Sequence, residues 1–262
     1  MSVLELLGYT RKRIRGRRTE LLLICLPPIA GILFFRLAET SFFSLLLYFE
    51  AMSPAELFTG GYFGQLIIVV LLTLLRWGIV APLTCVSAVK LRGMVTDGSD
   101  LISASELLLN GSFVRRSIKA YVIGRAVSFS ALIPASLSGV YIYFLLSDGG
   151  SENELFVAAN MSVLAVLSVV FWLSIRLSMV SVPFILAEYP KRSPLSCVFM
   201  AFGFMRGRKR LLIALSALYS LPILTVIGIP FFLPELWAAF ATGISIFIKE
   251  DEYARSAMRR VV

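Results

Sequence analysis

Histidine is missing from all 262 residues of this chain. That removes the commonest metal ligand and the usual general base, and it disfavours haem, zinc and Ser-His-Asp chemistry. The three cysteines, Cys25, Cys85 and Cys197, are odd in number and lie far apart, so they make neither a disulfide framework nor a zinc site. Charge is scarce, at 16% of residues, against ~25% in an ordinary soluble domain. No nucleotide loop, His-Glu-x-x-His motif or serine-nucleophile elbow occurs. The apolar runs contain no aspartate of the kind a proton pump or an intramembrane aspartyl protease needs. No catalytic residue, metal or cofactor is expected, and an enzyme is disfavoured.

What is abundant is apolar side chain: 58% of residues, with a mean hydropathy of +0.86. A soluble fold of this length has too little polar surface to cover it, so the expected solvent is lipid. The sequence predicts an all-α, polytopic helical bundle forming one integral membrane domain over 1–262. A helix needs roughly 20 apolar residues to cross the hydrocarbon, and six runs qualify: 20–38, 63–89, 118–146, 155–187, 211–228 and 231–248. Kinks are expected at Pro27-Pro28, Pro82, Pro134, Pro183 and Pro222. A tight outer turn is expected between the last two spans, near Gly228, Pro230 and Pro234, with Glu235 at that turn. The first span, although preceded by a basic stretch, lacks a small-residue cleavage site and reads as an uncleaved helix.

The net charge of +9 and pI of 9.7 would suggest nucleic acid in a soluble protein. Here the basic residues flank apolar runs, so nucleic acid is set aside for orientation and contact with anionic lipid head groups. All but four of the 25 lysines and arginines fall in four groups: Arg11–Arg18, Lys90–Lys119, Lys191–Arg210 and Lys249–Arg260. With six spans these groups share one side. The opposite connections carry Glu39, Glu50, Glu56, Asp148, Glu152 and Glu154 instead. The expected location is a bacterial cell membrane, crossed several times, with both termini cytoplasmic.

Three segments before outgoing spans share one layout: a short amphipathic stretch, a basic cluster, then the span. Val3–Tyr9 precedes Arg11–Arg18. Ser103-x-x-Glu106 opens the second as a capping box. Ser193, an N-cap, and Pro194, at the first helical position, open the third, which runs to Gly207, a candidate C′ residue. The layout reads either as three repeated hairpins, each introduced by an interfacial helix, or as the placing of basic residues before inward span ends found in any multi-span protein. In the third, Leu195, Phe199 and Phe202 should face lipid or protein.

The third unit also carries a resemblance. Phe184-Ile-Leu-Ala-Glu-Tyr-Pro190, Ser193-Pro194-Leu195 and Phe204-Met-Arg-Gly-Arg-Lys-Arg-Leu211 resemble a pattern in uncharacterised Gram-positive membrane proteins sharing a domain of unknown function. Some of these are distantly like the membrane domain of certain glycerophosphodiesterases. The resemblance implies a multi-span architecture and no established activity.

The four remaining basic residues, Arg36, Arg76, Arg125 and Arg176, interrupt apolar spans. Arg36 can snorkel to the outer boundary. Arg76, Arg125 and Arg176 are candidates for an anion or lipid site, because a guanidinium offers forked donors to phosphate or carboxylate. With Glu188 and Glu235 at span ends, no acid is expected to pair with them. In the alternative, purely structural role they bond helix carbonyls, lipid phosphates or the hydroxyls of Ser87, Ser128 and Ser174, and Arg76→Leu is tolerated. The reading favoured at this level is a non-catalytic scaffold, assembly factor or partner subunit, acting with a membrane protein partner or as a homo-oligomer. A transporter or lipid-handling protein with an intramembrane arginine site is the alternative.

Overall fold

The computed structural model describes residues 2–50, 63–96, 103–147, 152–224 and 229–261, and every regular element in them is an α-helix. In chain order these are α1 (Val3–Ile14), α2 (Arg18–Glu50), α3 (Phe63–Thr96), α4 (Ala104–Leu109), α5 (Gly111–Ser130), α6 (Ile133–Ser147), α7 (Glu152–Met179), α8 (Val182–Glu188), α9 (Pro194–Met205), α10 (Lys209–Leu224) and α11 (Ile229–Val261). The chain is thus a polytopic all-α bundle. Five segments of the described residues are long and apolar enough to cross a membrane: Arg18–Ser41, Ile67–Thr96, Gly111–Leu145, Phe156–Glu188 and Phe232–Asp251. The expected span at 211–228 falls on α10, 16 residues long, and on residues 225–228, which lie outside the description. Parts of the outer connections expected from the charge map, residues 51–62 and 148–151, lie outside it too.

Proline acts differently at different sites. α2 runs on through Pro27-Pro28, and α3 through Pro82. The chain breaks just before Pro134, between α5 and α6, and before Pro183, between α7 and α8. Each break carries its own repair. Ser130 and Ser181 hydroxyls donate to the carbonyls of Val127 and Ser178 at 2.9 and 2.8 Å. Tight backbone bonds run from Leu132 N to Phe129 O and from Ser181 N to Ser178 O. A backbone interrupted inside hydrocarbon persists only when its polar groups are satisfied in this way.

Consecutive long helices pair, α2 with α3, α6 with α7 and α10 with α11. The α2–α3 pair is antiparallel: Ser87 donates to Ile24 O at 2.6 Å, Gly31 faces Val80 and Leu83, and Glu39 meets Arg76. α11 is the central helix. Its apolar window is 67% buried inside the protein, against 17–22% for the other four candidate spans. It packs against α10, α3, α2 and α1.

Two of the three introductory segments are the same structure built twice. α1 and α9 each have 12 residues and a serine N-cap, Ser2 and Ser193, whose hydroxyl accepts from the backbone three residues on. Each ends on an arginine in an extended conformation, Arg15 or Arg206, followed by a glycine with positive φ, Gly16 at 82° or Gly207 at 77°. The next residue, Arg17 or Arg208, donates back to Ile14 O or Met205 O, and the next helix begins one residue later. Only glycine reaches that φ without a Cβ clash. The middle segment departs from this plan. Its capping box is present at Ser103 and Glu106, but Asn110 then caps α5 directly.

Both elbow helices pack into protein. α1 buries Leu6, Leu7, Thr10 and Ile14, and lies beside α11 and α3. α9 buries Cys197, Val198, Ala201, Phe204 and Met205. Its other face leaves Leu195 and Phe199 exposed and Phe202 half-buried. One placement changes: Glu235, expected at an outer turn, lies within α11 and accepts from Arg11 Nε at 2.7 Å. The N-terminal helix therefore reaches well along α11, with Leu6 beside Gly243.

Candidate functional site

A cavity of about 400 Å³ opens where α3, α5, α7, α8 and α11 meet. It exists because the facing surfaces of α3 and α5 carry small side chains. Ala81, Thr84, Cys85 and Ala88 on α3 oppose Ser117, Ala120, Gly124 and Ser128 on α5. Both sets are spaced three and four apart, which puts each on one helix face. The remaining wall is largely apolar, with Leu91, Leu177, Phe184, Leu186 and Phe240 among its members. Its charged lining is Arg125 and Arg176.

The two arginines are held in similar ways. Arg125 stacks on Tyr121, four residues earlier on α5, with the guanidinium carbon 5.0 Å from the ring centre and Nη2 donating to the phenol oxygen at 2.7 Å. Arg176 lies over Trp172, again four residues earlier, at 5.8 Å. Cation–π contact of this kind is worth roughly 0.5–2 kcal/mol, less than a full ion pair in a dry site. Neither arginine forms an ion pair among the described residues, and no carboxylate lines the cavity.

The lining hydroxyls do not fill that gap. Ser117, Ser128 and Thr84 donate to the carbonyls four residues back in their own helices, those of Phe113, Gly124 and Val80. Of the hydroxyls expected to serve the arginines, Ser87 donates to Ile24 O, and Ser174 accepts from Lys209 Nζ at 2.5 Å. Each guanidinium has five N–H donors, and Arg125 Nη2 is the only one on either residue with a hydrogen-bond acceptor among the described residues. Close by, Trp77 Nε1, on a ring packed edge-on against Tyr121, is buried without an acceptor.

Arg76 is placed elsewhere. It donates through Nη1 to Glu39 Oε2 at 2.5 Å, with both side chains nearly buried, and Thr73 contacts the other carboxylate oxygen at 3.4 Å. This corrects the expectation that no acid would be its partner. α2 continues past the apolar run, so Glu39 is a helical residue one turn after Arg36, which approaches the same carboxylate at 3.6 Å. The structure therefore brings together two of the three candidate arginines and gives the third a carboxylate. The aromatic residues at i−4, Tyr121 and Trp172, were missed in the sequence, although their spacing is a readable signal.

No protein-family model, curated protein or solved structure matches this chain.

Proposed function

We propose that this is a lipid-handling membrane protein that holds an anionic amphiphile in the cavity beside Arg125 and Arg176. One observation carries the reading: two arginines with no acidic partner among the described residues line an apolar cavity inside a membrane bundle. An arginine near mid-membrane costs at least about 2.5 kcal/mol on insertion scales, and an anion bound between two guanidiniums offsets that cost. The volume suits a head group and the start of a chain, since small-molecule pockets run from about 300 to 1,000 Å³. The chain sits in a bacterial cell membrane with both termini cytoplasmic, a reading supported by the grouping of its basic residues.

The test is thermal unfolding of the delipidated protein in neutral detergent, with phosphatidylglycerol or phosphatidylcholine added. Phosphatidylglycerol at a hundredfold excess over its Kd stabilises the wild type by about 2.7 kcal/mol. The Arg125→Gln/Arg176→Gln variant loses that gain. Equal stabilisation of both proteins by phosphatidylglycerol sinks the proposal. A scaffold or partner subunit is then the better reading, and the exposed Leu195 and Phe199 on α9 are the surface that favours it.

A further inference from the structure

The cavity's polar inventory restricts the head group, given the lipid-handling reading on which this step rests. Two guanidiniums bring two positive charges, and no lining carboxylate reduces them. A phosphodiester or a fatty acid carboxylate supplies one negative charge. A phosphate monoester supplies about −1.5 to −2 at neutral pH and three acceptor oxygens, enough to meet two forked donors at once.

The rest of the lining argues against a larger head. A choline or ethanolamine would place a third cation beside Arg125 and Arg176 with no acid to receive it. Tyr121 and Trp172 already carry the two guanidiniums, and a cation drawn to the other lining aromatics, Trp237, Phe184 and Phe240, would share the cavity with two like charges. A glycerol attached to the phosphate would esterify one of the oxygens that the two guanidiniums can use and remove negative charge, and the hydroxyls it brings are only neutral acceptors in return. An unsubstituted phosphate keeps all three oxygens for the two forked donors. Its chain lies along the apolar wall formed by Leu91 of α3 and Phe184 and Leu186 of α8, beside a stretch of α3 about 15 Å long from Ala81 to Leu91.

We infer that the cavity selects a lipid phosphate monoester, recognised by Arg125 and Arg176 from two sides, over phosphodiester, carboxylate and zwitterionic lipids.

Competition binding to the full-length protein in neutral detergent tests this. The probes are dioleoyl phosphatidic acid, dioleoyl phosphatidylglycerol, oleate, dioleoyl phosphatidylcholine and inorganic phosphate. Phosphatidic acid should bind at least about tenfold tighter than phosphatidylglycerol or oleate, as expected where charge-assisted forked bonds are doubled. That preference should vanish in Arg125→Gln/Arg176→Gln. In Arg125→Lys/Arg176→Lys, which keeps the charge without the fork, it should fall below about threefold. The lysine pair also serves as the test if the glutamine pair does not fold. Equal affinity for phosphatidic acid and phosphatidylglycerol, with both lost in the glutamine variant, overturns the monoester inference and leaves the lipid-handling reading standing. Failure of every anionic lipid overturns both. A phosphatidic acid preference that persists in the glutamine variant places the selectivity on the basic surface instead, and overturns the inference. Displacement by millimolar inorganic phosphate, as effective as by phosphatidic acid, would make this a soluble-phosphate site and remove the lipid from it.

Discussion

Arg76 on α3 donates to Glu39 on α2 at 2.5 Å, with the two side chains only 12% and 10% exposed. A buried pair of this kind adds little net stability over an apolar pair of the same shape, but losing one partner strands the other charge. Glu39→Leu strands Arg76 and should lower stability by about 3–5 kcal/mol, while Arg76→Leu should cost less, because Arg36 still reaches the Glu39 carboxylate at 3.6 Å. The double variant Arg76→Leu/Glu39→Leu should return to the wild-type melting temperature or exceed it. Thermal unfolding of the four proteins closes the cycle, and additive single losses in the double variant would show that the pair does not act as a unit.

The same pair shows where sequence reading stopped. The first apolar run ends at residue 38, and a glutamate one position later fits a loop as well as it fits a helix that continues. What decides is the α2–α3 register, set by contacts such as Ser87 to Ile24 O, which no local pattern reveals. Helix starts were far more legible, because a cap is local chemistry. Ser103-x-x-Glu106, Ser193-Pro194 and Gly207 all occupy the positions their residue types suggest. The central position of α11 was hidden, because its apolar residues look alike whether they meet lipid or other helices. The cavity arginines were legible singly as intramembrane cations. That Arg125 and Arg176 line one cavity, and Arg76 does not, depends on packing between helices distant in sequence.

The two glycine elbows should be sensitive to substitution and their neighbours should not. Gly16→Ala and Gly207→Ala force a Cβ into left-handed backbone and should each cost about 1–2 kcal/mol. Gly8→Ala is the control, since this glycine lies within helical α1 with nothing within 4 Å of the new Cβ. It should stabilise by about 0.5–1 kcal/mol. Melting temperatures of the three variants test the elbow geometry. Loss of stability on Gly8→Ala comparable with that of the elbow variants would contradict it.

At the N-terminus, Glu5 Oε2 accepts from Ser2 N at 2.8 Å, and the Ser2 hydroxyl accepts in return from Glu5 N at 3.2 Å. The backbone bond from Ser2 is the main cause of a Glu5 carboxyl held below its ordinary range. A lowered folded-state value means a contribution present at neutral pH and lost as pH falls through the carboxylate range. Wild type should therefore lose protection of the first turn of α1 on acidification, as read by amide hydrogen exchange. Glu5→Gln should show a smaller change over the same window. Identical acid profiles for the two proteins would count against the capping box.

The docking of α1 along α11 gives the sharpest geometric test. A Cβ built on Gly243 would lie 3.4 Å from Leu6 Cδ2 and 4.0 Å from Leu211 Cδ2. That is room for one methyl group and no more. Gly243→Ala should be close to neutral or slightly stabilising, because the gain in helix propensity, up to about 1 kcal/mol, meets only ordinary contact. Gly243→Leu overfills the seam, at a cost of about 1–3 kcal/mol, and should lift α1 away from α11. Thr10 reports the movement, since it is fully buried in α1. With the three native cysteines replaced by alanine, Thr10→Cys should resist a small maleimide in the Gly243 and Gly243→Ala backgrounds and react readily with Gly243→Leu. The Arg11–Glu235 pair supplies an independent check on the same seam. Reversal of one charge, Arg11→Glu, should raise labelling, and restoration of the pair by Glu235→Arg should reduce it again. A Thr10→Cys that labels equally in every background would mean that α1 does not rest on α11.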